Sequence, residues 1–270
     1  VSGDPAAPPT TTLLGLPFAD LDAAAAAAWL ASLPVDTPFG YAVTPNADHL
    51  VRLHRDPSLA PIYQAARVRL LDSRVVARVG RWLGLAVPRV APGSDVSALL
   101  LRHHLRPDDR LTIIGLPETC VARLVADFGL LPPAHLDPPM GFDGDPAAFA
   151  AAVRFVVSHP ARFVFLAVGS PRQERLAAAI AATGAARGIG LCIGASLAFL
   201  AGAERRAPAV IQRAGFEWLF RLIMHPHRLW RRYLVDSPAV LGLLLAERRN
   251  RGRRGDGRTA GGTGSNAGMS

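Results

Sequence analysis

Phe163-Val-Phe-Leu-Ala-Val-Gly169-Ser-Pro-Arg-Gln-Glu174 is the stretch that decides the fold. An unbroken apolar run closed by a glycine, then a polar turn, then an Ala-rich continuation spells strand, turn and helix. A strand with no polar alternation must be covered on both faces, as strands inside parallel sheets are. The same unit recurs at Tyr41-Ala-Val-Thr44 before Pro45-Asn46, at Val68-Arg-Leu-Leu-Asp72, at Leu111-Thr-Ile-Ile-Gly115 and at Gly190-Leu-Cys-Ile-Gly194. Each is followed by polar or Gly-containing sequence and a helical stretch. The expected class is α/β, a Rossmann-like open parallel sheet with flanking helices and a C-terminal amphipathic helical appendage.

Outward from these strands, a chain of 270 residues that is half apolar can bury one substantial core. Residues 1–12, rich in Pro, Thr and Ala, are expected to be disordered, and 13–209 form the core. Residues 210–247 form the appendage, and 248–270 an Arg/Gly-rich disordered tail. Within the appendage, aromatic and aliphatic residues from Phe216 to Leu234 recur at helical spacing around a break at Pro226. Arg221, Arg228 and Arg231 are seven and then three residues apart.

The net charge of +9 is gathered at this end, where Arg248, Arg249, Arg251, Arg253, Arg254 and Arg258 follow. Such a surface seeks a polyanion, and by composition alone nucleic acid, acidic lipid and a diphosphate all qualify. The interleaved Trp218, Trp230 and Tyr233 also suit an anionic membrane interface. No segment reaches the roughly 18 to 20 apolar residues of a membrane span, and no export signal is legible. The expected location is cytoplasmic, peripherally attached to the inner face of the cell membrane.

In an open parallel sheet, ligands meet the carboxyl ends of the strands. That directs attention to Thr44, Asn46, Asp72, Gly115 with Glu118, and Gly169 to Glu174. Asp143-Gly-Asp145 has the Asp-x-Asp spacing that suits a divalent cation, but it follows Pro138-Pro-Met-Gly-Phe142 and not an apolar strand, so a loop turn is expected. His103-His104 and His225-x-His227 lack a third ligand, and Cys120 and Cys192 follow no metal spacing and read as small buried hydrophobes. No metal and no cofactor are expected. No Gly-x-Gly-x-x-Gly follows any strand, which argues against a Rossmann oxidoreductase.

Several ordered blocks carry a family resemblance. They are Thr44-Pro-Asn46 with Asp48-His-Leu50, Leu71-Asp72 with Val75-Val76, Arg89-Val90 with Gly93-Ser-Asp95, and Pro138-Pro-Met-Gly-Phe-Asp143. Further on come Gly169-Ser-Pro-Arg-Gln-Glu174, Gly202 with Arg206-Ala-Pro208, Glu217-Trp218 with Arg221, and Pro226-His-Arg-Leu-Trp-Arg-Arg-Tyr233. In this order the chain resembles the WecG/TagA/CpsF glycosyltransferases over about residues 40 to 235.

The resemblance implies inverting transfer of a sugar from a uridine-diphosphate donor to a saccharide on an undecaprenyl-diphosphate carrier, in bacterial cell-surface or exopolysaccharide synthesis. It implies Asp72 as catalytic base, Thr44, Asn46 and Gln173 as substrate-binding residues, and Arg221, Arg228 and Arg231 on the diphosphate, where guanidinium forks match phosphate oxygens. Arg89 belongs to the same set, in a block one residue longer than the family's. The helix dipole offers a second role for Glu174. Ser73 stands where the family usually has Gly, and Ala198 where many members have an acid, so glucose, N-acetylmannosamine and a uronic acid all remain open as donor sugar. The implied partners are the donor, the lipid-linked acceptor and an anionic membrane, without nucleic acid. The rival reading is a non-enzymatic α/β protein that binds nucleic acid or membrane through its Arg-rich end.

Overall fold

The computed structural model describes residues 5–194, 196–202 and 237–259. Every strand-turn-helix unit read above forms. The strands β3 (Gly40–Val43), β4 (Val68–Arg69), β5 (Leu111–Ile114), β6 (Ala134–Leu136), β7 (Phe163–Leu166) and β8 (Ile189–Cys192) make one six-stranded sheet in the order β4-β3-β8-β7-β5-β6. All its pairings are parallel. All four residues of each of β5, β7 and β8 are buried.

Burial on both faces shows in how side chains alternate. Tyr41, Val43, Ile114, Val164, Leu166 and Cys192 enter one core. Ala42, Ile113, Phe163, Phe165 and Leu191 enter the other. The first core is closed by helices that include α2 (Ala47–Arg55), α4 (Arg74–Trp82), α7 (Pro146–Ser158) and α8 (Arg172–Ala182). The short α3 (Ala60–Ala65) adds Tyr63 to it. The second is closed by α1 (Ala23–Ser32), α5 (Gly93–Leu99), α6 (Glu118–Phe128) and α9 (Ser196–Leu200).

Two segments differ from their reading as disordered. Strand β1 begins at Thr10, inside the stretch 1–12, and Thr10–Leu13 pairs antiparallel with β2 (Leu16–Ala19). The two-residue turn has φ of +51° at Leu14 and +78° at Gly15, the handedness that matches strand twist, and Leu13, Leu16 and Phe18 are buried in the first core. At the other end, helix α10 (Ser237–Thr259) runs past residue 247 into the expected tail. It packs on α2 and α4, with Val240 and Leu244 buried in the same core. Arg251 holds it further by bonding Glu247 Oε1 at 2.9 Å and Thr12 O at 2.7 Å. Neither segment carries a local signal of this packing, which depends on partners far away in the chain. Arg221, Arg228, Arg231, Trp218, Trp230 and Tyr233 lie outside the described residues. Among those described, no helix is long and apolar enough to cross a membrane.

At the amino ends of the strands, Arg162 and Asp109 form an ion pair at 2.5 Å with both side chains 4 % exposed. Arg162 also donates to Ala31 O at the end of α1 and lies over the Phe163 ring, 5.0 Å from its centroid. Asp109 accepts from Arg106 N at 2.8 Å. The pair thus ties α1, the turn before β5 and the start of β7. Removing one partner strands the other charge in the interior, so Asp109→Ala should lower unfolding free energy by about 3–5 kcal/mol in urea titration. A loss below about 1 kcal/mol, the range of an exposed pair, would show that the pair does not hold the sheet together.

Candidate active site

Strands β3 and β8 are neighbours, but the helices that follow them, α2 and α9, pack on opposite faces of the sheet. The crevice between such diverging loops is where open sheets receive ligands. Thr44, just past β3, is buried and donates from Oγ1 to Cys192 O at the end of β8, at 3.2 Å. Two residues on, Asn46 caps α2, its Oδ1 accepting from Asp48 N at 3.0 Å and His49 N at 3.3 Å. The Thr-Pro-Asn block is therefore a strand end and a helix cap joined by one proline, which suits a residue whose amide must be withheld from the helix.

Asp72 is fixed to the same place by backbone. Its N–H donates to Pro45 O at 2.9 Å, setting the end of the β4 segment beside the Thr44–Asn46 turn. The segment 90–91 runs along its other side, where Leu71 and Val90 form a parallel bridge and Ala91 N donates to Leu71 O at 2.9 Å. That delivers Gly93, whose N–H donates to Asp72 Oδ2 at 3.3 Å. Glycine suits the close approach there, since a Cβ would stand 3.0 Å from Thr44 Oγ1 and 3.3 Å from its Cγ2. Thr44, Asn46 and Asp72 are thus brought together, with Gly93 as a member that residue type alone did not reveal. Ser73, the departure beside Asp72, is the N-cap of α4, its side chain accepting from Val76 N at 3.1 Å.

Gln173 is placed differently from a surface contact. It is 2 % exposed, and both ends of its amide are engaged. Oε1 accepts from Gly194 N at 2.8 Å, and Nε2 donates to Glu174 Oε1 at 2.9 Å. It fastens the turn after β8 to the first turn of α8. Arg89 is likewise engaged, donating from its backbone N to Asp20 Oδ1 at 2.8 Å and from its guanidinium to Asp20 O and Asp22 Oδ2. These contacts hold the strand leading to Gly93 against the start of α1. Asp145 caps α7, accepting from Ala147 N at 2.8 Å and Ala148 N at 3.3 Å, and Asp143 sits in the helical turn Phe142–Gly144 before it. Among the described residues no three His, Cys, Asp or Glu side chains gather as a metal site would require.

Beneath the crevice lies a polar cluster that the sequence reading missed. Arg52 bonds Asp48 Oδ2 at 2.6 Å and Ser170 Oγ at 2.9 Å, which links α2 to the turn before α8. Only the i, i+4 spacing of Asp48 and Arg52 hinted at it. Glu174 is 1 % exposed beside them. Burial pushes its carboxyl above the ordinary range, against the opposing pull of Gln173, Ser170 and Arg52. Burial also raises the Tyr41 phenol to about 12 and moves the Tyr63 phenol and the Cys192 thiol upward, so these stay neutral.

With this geometry in hand, comparison with protein families finds one model, described as Glycosyl transferase WecG/TagA/CpsF family, matching residues 11–254.

Because the folded state holds the Glu174 proton more tightly than the unfolded chain does, stability should fall as pH rises from the ordinary value of 4.5 toward the raised one. Glu174→Gln keeps an acceptor for Gln173 and has no proton to lose. Melting temperatures measured from pH 4 to pH 8 should therefore show the variant gaining on the wild type as pH increases. Parallel profiles for the two proteins would mean that Glu174 titrates alike in both states.

Proposed function

The chain belongs to the WecG/TagA/CpsF glycosyltransferase family, whose model spans nearly its whole length, and from that premise we propose that it moves a sugar from a uridine-diphosphate donor to a saccharide on a polyprenyl-diphosphate carrier. That it is a glycosyltransferase of cell-surface polymer synthesis follows from the family itself, which implies a nucleotide-sugar donor and a lipid-linked acceptor in general. The membership leaves the non-enzymatic reading of the Arg-rich end without support.

One observation carries the finer reading: a carboxylate, Asp72, set by its backbone beside the Thr44–Asn46 turn, with Gly93 N–H on its Oδ2 at 3.3 Å and its own N–H on Pro45 O. In the proposed reaction the acceptor hydroxyl attacks the anomeric carbon of the donor from the face opposite the diphosphate. The new glycosidic C–O bond forms as the bond to the diphosphate oxygen breaks, and the configuration inverts. Asp72 takes the hydroxyl proton, and the departing diphosphate keeps the bonding electron pair. A carboxylate placed by backbone at a strand end is suited to that transfer, because misdirection by even an ångström is costly in general-base catalysis.

In this reading Thr44 and Asn46 line the pocket for sugar or acceptor hydroxyls. Gln173 contributes by holding Gly194 in position as much as by touching substrate, and Arg89 by fixing the approach to Gly93. Arg221, Arg228 and Arg231 would meet the diphosphate charge as it develops, the role that guanidinium groups fill best. The enzyme would work at the inner face of the cell membrane, where a lipid-linked acceptor presents its headgroup.

Asp72→Asn should lower transfer by roughly 10²- to 10⁴-fold in a radiolabelled-donor assay while donor affinity and melting temperature stay near wild type. Turnover close to normal would remove Asp72 from the role of base. Because positive charge on the diphosphate is assigned to arginine, transfer should also persist in excess chelator, and an activity abolished by EDTA and restored by manganese would call for a metal-based account.

A further inference from the structure

Helix α4 starts immediately after Asp72 and its cap Ser73, and it divides cleanly around its axis. Val76, Ala77 and Gly80 are buried on one side. Arg74, Val75, Arg78, Arg81 and Trp82 are exposed on the other and fall within an arc of about 120° at 100° per residue. Trp82 is 80 % exposed and Val75 44 %. An indole left this far in water is unusual for a side chain that commonly buries most of its surface. The helix contains no acidic residue. Among the described residues Arg74 pairs with Asp95, at 3.8 Å. Arg78 and Arg81 form no ion pair among the described residues.

Helix α10 extends the same character. It contacts both α2 and α4, and its Leu243, Ala246, Glu247 and Asn250 line a groove of about 410 Å³ shared with Leu50 and Leu53 of α2. Leu241 and Arg248, seven residues apart, lie on the opposite side of α10 from that groove. Leu241 is 42 % exposed, and Arg248 and Arg249 are exposed beside it. Of its two acids, Glu247 lies toward the groove and is paired with Arg251 at 2.9 Å, and Asp256 lies two turns further on.

We propose that the exposed face of α4, continued by Leu241 and Arg248 of α10, is a docking surface for an anionic lipid bilayer, built into the core of the protein and separate from the segment around Pro226. The inference rests on the lipid-linked acceptor of the preceding section. Arginines of which Arg78 and Arg81 form no ion pair among the described residues, interspersed with a tryptophan and aliphatic side chains, match the two layers of such a surface: the guanidinium groups meet lipid phosphates, and the indole sits at headgroup depth. A folded-state ion-pair network would need acids among these arginines, and α4 has none. Position adds a reason. The stripe begins two residues after Asp72, so a bilayer lying along α4 brings a lipid diphosphate headgroup to the carboxyl end of the sheet.

The test uses the full chain and vesicles of phosphatidylcholine with or without phosphatidylglycerol. Wild type should pellet with the anionic vesicles and be released by salt. The combined variant Arg78→Gln, Arg81→Gln, Trp82→Ala, which alters only exposed side chains, should lose roughly tenfold or more in vesicle affinity. It should lose transfer to a vesicle-embedded acceptor in parallel, yet keep wild-type transfer to a short-tailed acceptor in detergent. Brominated lipid should quench wild-type fluorescence more than that of Trp82→Phe. Equal pelleting of variant and wild type would overturn the proposal. So would a change in oligomeric state of the variant without lipid, which would make the face a contact between copies. Vesicle binding lost in the variant, with no transfer by wild type to any lipid-linked acceptor, would support the surface and refute the catalytic reading instead.

Discussion

A parallel sheet covered by helices on both faces leaves only the ends of its strands open to solvent, and this constraint governs the rest of the molecule. Strands β5, β7 and β8 spend every side chain on packing, so none can serve chemistry. Polar function is displaced to the first residues beyond each strand, where the chain turns and backbone groups fall free of the ladder. Thr44, Asp72 and Gly194 all stand there. The two ends then differ: the Arg162–Asp109 pair at the amino ends has a structural role, and the carboxyl ends gather Thr44, Asn46 and Asp72.

Within that frame, the site is assembled mostly by main chain. Pro45 O, Gly93 N and Gly194 N are the anchors for Asp72 and Gln173. Backbone partners do not change rotamer, so a carboxylate held this way is pre-organised at little entropic cost. Glu174 presents the opposite case. It lies 1 % exposed, where a charge would be costly, and accepts from Gln173.

Ser73, a departure from the family pattern, is intelligible in the same terms. Ser73 does not crowd Asp72, because its side chain turns to Val76 N as a helix cap, a service glycine performs less well. Asp143 and Asp145, whose spacing imitates a metal motif, belong to a helical turn and an N-cap. For Ser73 and Asp145, local hydrogen bonding accounts for the residue type.

The strand units and their burial on both faces were determined by sequence alone, because each is a pattern within a dozen neighbouring residues. The same locality made Asp72, Thr44 and Asn46 legible as strand-end polar groups. What tertiary structure decided is everything that pairs distant positions: Thr44 with Cys192 across 148 residues, and Asp72 with Gly93 and Gln173 with Gly194 across 21 each. It also decided the β1–β2 hairpin, whose Leu13, Leu16 and Phe18 join the first core, and the docking of α10, whose Arg251 reaches Thr12 across 239 residues. A glycine such as Gly93, or a buried amide such as Gln173, has no fixed meaning in a linear sequence. Its meaning comes from the close approach that a Cβ would crowd, or from the orphan N–H that needs its oxygen, and those exist only once the chain has folded.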